Sequence, residues 1–119
     1  MKHLLLWGLA LSLITFTSCD DDELGCTAEF VDITFTVEGS PAPDEVTATA
    51  TGQAATVLTP ENGRYVLVDD GDREMLEGME TTYTVEGTNG GTTLFSETFV
   101  VTADECHVSK VSGPTAISY

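Results

Sequence analysis

Between positions 31 and 37 apolar and polar residues alternate. Val31, Ile33, Phe35 and Val37 share one parity, and Asp32, Thr34 and Thr36 the other. A period of two places one set on the core face of a pleated strand and the other in water. The run Gly39-Ser40-Pro41-Ala42-Pro43-Asp44 breaks the pattern, because proline cannot donate to a central ladder. Residues 45–51 alternate again, with Val46, Ala48 and Ala50 on one face. Gly52-Gln53 predicts a turn, 54–59 a short third strand, and Pro60-Glu61-Asn62-Gly63 a second turn, since Asn-Gly accepts positive φ. A fourth strand is expected over 64–68. Residues 69–79 are the least β-like stretch and predict a loop with one helical turn. Alternation resumes over 81–86, Thr88-Asn89-Gly90-Gly91 marks another turn, and 92–102 reads as a long strand. Its parity slips near Ser96-Glu97, which predicts a bulge. A seventh strand is expected over 106–111, ended by Gly113-Pro114. Residues 115–119 form either a short edge extension or a frayed tail.

Seven short strands with turns between them, and no helical segment long enough to cover a sheet, predict an all-β fold. The expected architecture is a seven-stranded Greek-key β-sandwich, with a barrel as the alternative.

The N-terminus follows a different rule. Met1-Lys2-His3 is a short basic start, and residues 4–16 are apolar. As a helix they would reach roughly 20 Å at about 1.5 Å per residue, short of a hydrocarbon core about 30 Å thick. The segment reads as a signal peptide, not a membrane span. It ends at Thr17-Ser18-Cys19, and Asp20-Asp21-Asp22-Glu23 follow at once. This resembles a bacterial lipoprotein signal, in which the cysteine thiol takes diacylglycerol and becomes the mature N-terminus. Phe16 stands where that pattern usually has an aliphatic residue. An ordinary secretory signal with a free Cys19 is the alternative. The acidic run is similar to the export signal of Bacteroidetes-type surface lipoproteins. The resemblance implies residues 1–18 as signal, 19–25 as a lipidated acidic linker and 26–119 as the folded domain, held at the outer membrane and facing the cell surface. Stable anchoring takes two or more acyl chains, and four like charges in a row stay extended and solvated.

With Cys19 assigned to lipid, Cys26 and Cys106 remain, one near each end of the domain. In an oxidising compartment such a pair predicts a disulfide. The rival is metal binding by the two cysteines with His107, which falls short of the four ligands zinc prefers. Three basic residues, Arg64, Arg73 and Lys110, then face all 20 acidic ones. Such a surface repels phosphate backbones, so nucleic-acid partners are not expected.

The segments Val31-Asp32-Ile33-Thr34-Phe35-Thr36-Val37, Asn62-Gly63-Arg64-Tyr65-Val66-Leu67 and Tyr83-Thr84-Val85-Glu86-Gly87 resemble carboxypeptidase-regulatory-like, or transthyretin-like, β-sandwich modules. The resemblance implies a fold and a binding or scaffolding role, and it transfers no catalytic residue. An immunoglobulin-like sandwich is the competing topology, without its usual buried tryptophan, because Trp7 lies in the signal.

Chemistry is sparse. No metalloprotease, nucleophile-elbow or phosphate-loop motif occurs. His107 is the single histidine after the signal, and the expectation for it is an exposed strand residue. The cluster Asp69, Asp70, Asp72 and Glu74, with Glu77 after it, is the candidate calcium site, since calcium takes six to eight oxygens. Its spacing is not that of an EF-hand, and Asp72 alternatively caps a helical turn. No resident cofactor is expected. Two functions stand: a lipid-anchored surface interaction or scaffold module with a protein or glycan partner, or a calcium-dependent carbohydrate- or matrix-binding domain. The first expects its partner at the loops 39–44 and 69–79.

Overall fold

A computed structural model describes residues 25–119. The expected signal segment, the expected lipid site Cys19 and the acidic run behind it lie outside the described residues.

The alternating segments become strands in two sheets. A five-stranded sheet has the order β3 (Thr56–Leu58), β2 (Glu45–Ala50), β5 (Thr81–Asn89), β6 (Thr92–Ala103), β7 (Val108–Ser112). A three-stranded sheet has the order β4 (Arg64–Asp69), β1 (Asp32–Glu38), β8 (Ala116–Ser118). Between β4 and β5 lie a 3-10 turn, Asp70–Asp72, and the single-turn helix α1, Arg73–Leu76. The fold is all-β and sandwich-like. Eight strands are described instead of the seven expected. The eighth is β8, whose Val37↔Ile117 pairing with β1 is parallel and joins residues 80 positions apart.

The faces follow the alternation. Ile33 and Phe35 of β1, Val46, Ala48 and Ala50 of β2, and Leu67 and Val68 of β4 are buried. Phe35 meets Phe99 across the sheets with ring centroids 5.3 Å apart, and Tyr65 stacks on Phe35 from the neighbouring strand at 5.3 Å. This aromatic column joins the two layers. At Gly87 on β5 the cross-strand partner is Phe95, whose ring would lie 2.1 Å from any Cβ placed there. Glycine is required at that point by the ring, not by backbone φ.

The expected bulge moves. Ser96 and Glu97 pair regularly with Glu86 and Val85, whereas register shifts between Gly87 and Thr88, opposite Leu94. From there Phe95, Phe99, Val101 and Ala103 are buried on one parity. Glu97 shares that parity but stays half-buried, because β7 pairs only from Val100 onward and leaves its carboxylate a way out. A second shift lies between Val100 and Val101. The seventh strand also starts later than expected, at Val108, so Cys106 and His107 lie in the β6–β7 turn.

Strand registers define two poles. Asp32 pairs with Asp69 and Ala103 with Val108, which brings the start of β1, the 3-10 turn and the β6–β7 turn to one end. Thr36 pairs with Arg64 and Glu45 with Thr88, so the loops 39–44, 60–63 and 89–91 lie at the other.

Candidate functional site

The densest polar chemistry lies at the first pole. Asp69 ends β4 and caps the 3-10 turn. Its Oδ1 accepts the Gly71 N–H at 2.7 Å, while Asp72 Oδ2 accepts the Asp69 N–H at 3.1 Å, a reciprocal capping box. Asp72 therefore closes the cap of the 3-10 turn, and its side chain makes no capping bond to α1. The tight turn aims Asp70 back across the gap between the sheets. Asp70 Oδ2 accepts from Val31 N–H at 2.8 Å, and Oδ1 from Val108 N–H at 2.9 Å. One carboxylate thus bridges the entry of β1 to the start of β7.

His107 completes the arrangement. Its Nδ1 lies 2.7 Å from Asp70 Oδ2 and its Nε2 lies 3.1 Å from Thr27 Oγ1. With the carboxylate an acceptor, Nδ1–H donates to Asp70, and Nε2 is left within hydrogen-bond reach of the Thr27 hydroxyl. The His107 side chain is only 23 % exposed, which corrects the expected exposed strand histidine. Asp104 shapes the turn beneath it, because its Oδ1 accepts the Cys106 and His107 N–H groups at 2.7 and 2.8 Å. Arg73 donates to Glu105 O at 2.8 Å and pairs with Glu77 at 3.4 Å, tying α1 to the same turn. The Cys26–Cys106 disulfide, closing 80 positions, covalently fixes the chain entering the domain.

The structure does not gather the acidic cluster into a cation site. Among the described residues no group of three or more histidine, cysteine or acidic side chains could hold a metal ion. The carboxylates of Asp69, Asp70 and Asp72 face main-chain donors of the chain itself, and Glu74 is exposed apart from them. The cysteines that would have served a metal with His107 are bonded to each other. Among the described residues no helix is long and apolar enough to cross a membrane.

Two carboxyls here titrate low. Burial works to raise Asp70, but the Val31 and Val108 N–H groups and His107 outweigh it and hold it below the ordinary carboxylate value. The His107 and Cys106 N–H groups do the same for Asp104. A lowered folded-state value means the stabilisation is full above the unfolded value, about 3.9, and is lost as pH falls through the folded one. The urea midpoint is therefore expected to drop below about pH 4. In Asp70→Asn/Asp104→Asn the drop should flatten. Parallel acid profiles for wild type and variant would refute this assignment.

The Asp70–His107 link joins residues 37 positions apart, and no local pattern announces it. A local signal that could have pointed to this turn is Asp104, placed two and three residues before the N–H groups it accepts, as in an Asx-turn.

No protein-family model matches the chain, and neither a curated protein nor a solved structure does.

Proposed function

We propose that the chain is a lipid-anchored cell-surface interaction or scaffold module, with Cys19 the lipidated residue and the outer membrane its site. The observation that carries the reading is where the tether would enter. Residues 26–31, next in the chain to the acidic linker, are fastened to the first pole by the disulfide, the Thr27–His107 contact and the Asp70 bridge. A lipid attached seven residues before Cys26 holds that pole toward the membrane. The opposite pole then faces outward with the loops 39–44, 60–63 and 89–91. Of the two loops expected to bind a partner, 69–79 belongs to the tethered end and 39–44 to the outward one. The outward loop is braced, since Asn89 donates to Ala42 O, Gly90 N–H to Asp44 and the Tyr119 hydroxyl to Pro41 O. Such a loop is presented without a large ordering cost on binding.

The finer fold within this reading is the transthyretin-like one. In the immunoglobulin sandwich the first strand pairs with the second, whereas here β1 pairs with β4 and β8. The repeated crossings between sheets, from β1 to β2, β3 to β4, β4 to β5 and β7 to β8, support Greek-key connectivity. The calcium-dependent reading is the weaker one, because the acidic turn already uses its oxygens. Proteinase added to intact cells tests the placement. The expected result is loss of the domain from wild-type cells; protection in intact cells with digestion only after lysis would refute a surface location.

A further inference from the structure

Four strand edges bound the two sheets: β3 and β7 in one, β4 and β8 in the other. Edges carry unpaired N–H and C=O groups, and charged side chains commonly guard them. β7 carries Lys110, and β4 carries Arg64 and Asp69. β8 turns its large apolar residue, Ile117, fully inward. β3 differs. Its sequence, Thr56-Val57-Leu58, has no charge and high strand propensity, and it turns Val57 outward at 59 % exposure.

The mouth of the sandwich opens along this same edge. Two cavities of about 310 Å³ each lie beside β3 and share Leu58 as a wall. One sits where Ala48 and Ala50 leave space before Leu67, with Tyr83 and Asp72 at its side. The other lies by Val46 and Tyr65, with Asp44 and Glu45 at its rim. No basic residue lines either cavity. Burial raises the Tyr83 hydroxyl's pKa, and the nearby Asp72 carboxylate adds to the shift, so negative field reaches into the first cavity. Val46↔Leu58 and Ala48↔Thr56 are facing pairs, so the first cavity lies on the inner side of the sheet, while the second wraps around the edge to Val57 and Glu45. On a further strand added outside β3, side chains two residues apart would point inward with a spacing of roughly 7 Å.

We propose that the free edge of β3 is the docking site for an extended, basic segment of a partner protein. The segment adds as a strand beside Thr56–Leu58, and its lysine or arginine side chains enter the two cavities. Apolar stems lie along Leu58 and the alanines while the cationic heads meet Asp72 at one end and Asp44 and Glu45 at the other. Charge selects this occupant over a second copy, because each chain carries a formal charge of −16. The inference deepens the interaction-module reading by naming the partner's chemistry.

The test titrates the isotope-labelled chain with a short synthetic peptide of alternating lysine and valine. Two controls accompany it: a glutamate-for-lysine twin, and an N-methylated peptide that cannot pair as a strand. The expected result is saturable shifts at the amides of Thr56–Leu58 with the lysine peptide alone, weakening as salt rises. The triple variant Asp44→Asn/Glu45→Gln/Asp72→Asn keeps the acceptors that Gly90 and Asp69 use. It should weaken binding roughly tenfold. Val57→Lys, which places a guarding charge on the edge, should abolish it. The proposal is overturned by absence of saturable shifts, by equal binding of the glutamate or N-methylated peptide, by shifts centred on β7 or β8, or by self-association through β3 without peptide. Lipid labelling at Cys19 reads separately, so failure at the edge and failure of the anchor are distinguishable.

Discussion

Phe99→Ala is expected to lower the stability of the domain by about 3–5 kcal/mol, the usual cost of truncating a buried phenylalanine. The reason is its position. Phe99 is 0 % exposed, packs against Phe35 of the opposite sheet and covers Gly113, where a Cβ would come within 2.5 Å of its ring. No neighbour can close the gap, since Gly113 has no side chain to lend and Phe35 is already stacked on Tyr65. Domains of this size hold about 5–15 kcal/mol in total, so the variant should lose roughly a fifth of its stability or more. Thermal or urea unfolding followed by circular dichroism measures it. A loss below about 1 kcal/mol, the size of an ordinary surface substitution, would mean the sheets do not meet at Phe99.

Cys26→Ser/Cys106→Ser is expected to cost a further 2–5 kcal/mol or so, chiefly by releasing the unfolded chain from a closed loop. The bridge spans 80 positions and encloses β1 through β6, so almost the whole domain lies inside it. The folded variant should keep its secondary structure, because the Asp70 bridge and the Thr27–His107 contact still hold the entering segment. The two proteins should therefore have matching circular dichroism spectra and different urea midpoints. Matching midpoints, or two alkylatable thiols in the native wild type, would contradict the assignment.

Strand periodicity was legible where a single face is buried. Val46, Ala48 and Ala50 read inward from the sequence and are inward in the structure. Elements that depend on distant partners were not. β8 has three residues, of which Ile117 alone is buried, and its existence depends on β1, far back in the chain. The parity slip in β6 was seen, but Glu97 drew attention to the wrong place. A half-buried carboxylate on the core face mimics a slip, while the real one at Leu94 is marked only by the adjacent apolar pair Leu94-Phe95. At the first pole, counting cysteines was enough to expect the bridge. The aspartates were visible only as a cluster of charge, which fits calcium as readily as a network of main-chain donors. What decides between these is the direction of each carboxylate, and that is set by the 3-10 turn, by Val31 just before β1 and by Val108 of β7. The Thr27–His107–Asp70 chain, from three separate segments, was beyond any local signal.

The proposed lipidation at Cys19 is the central claim, since it would determine which pole faces the membrane and which loops and edges a partner can reach. Metabolic labelling with a palmitate analogue tests it directly, comparing wild type with Cys19→Ala. The expected result is label on the wild-type chain, none on the variant, and release of the variant from the membrane fraction. Label persisting on Cys19→Ala, or a wild-type chain that takes up none, would contradict it.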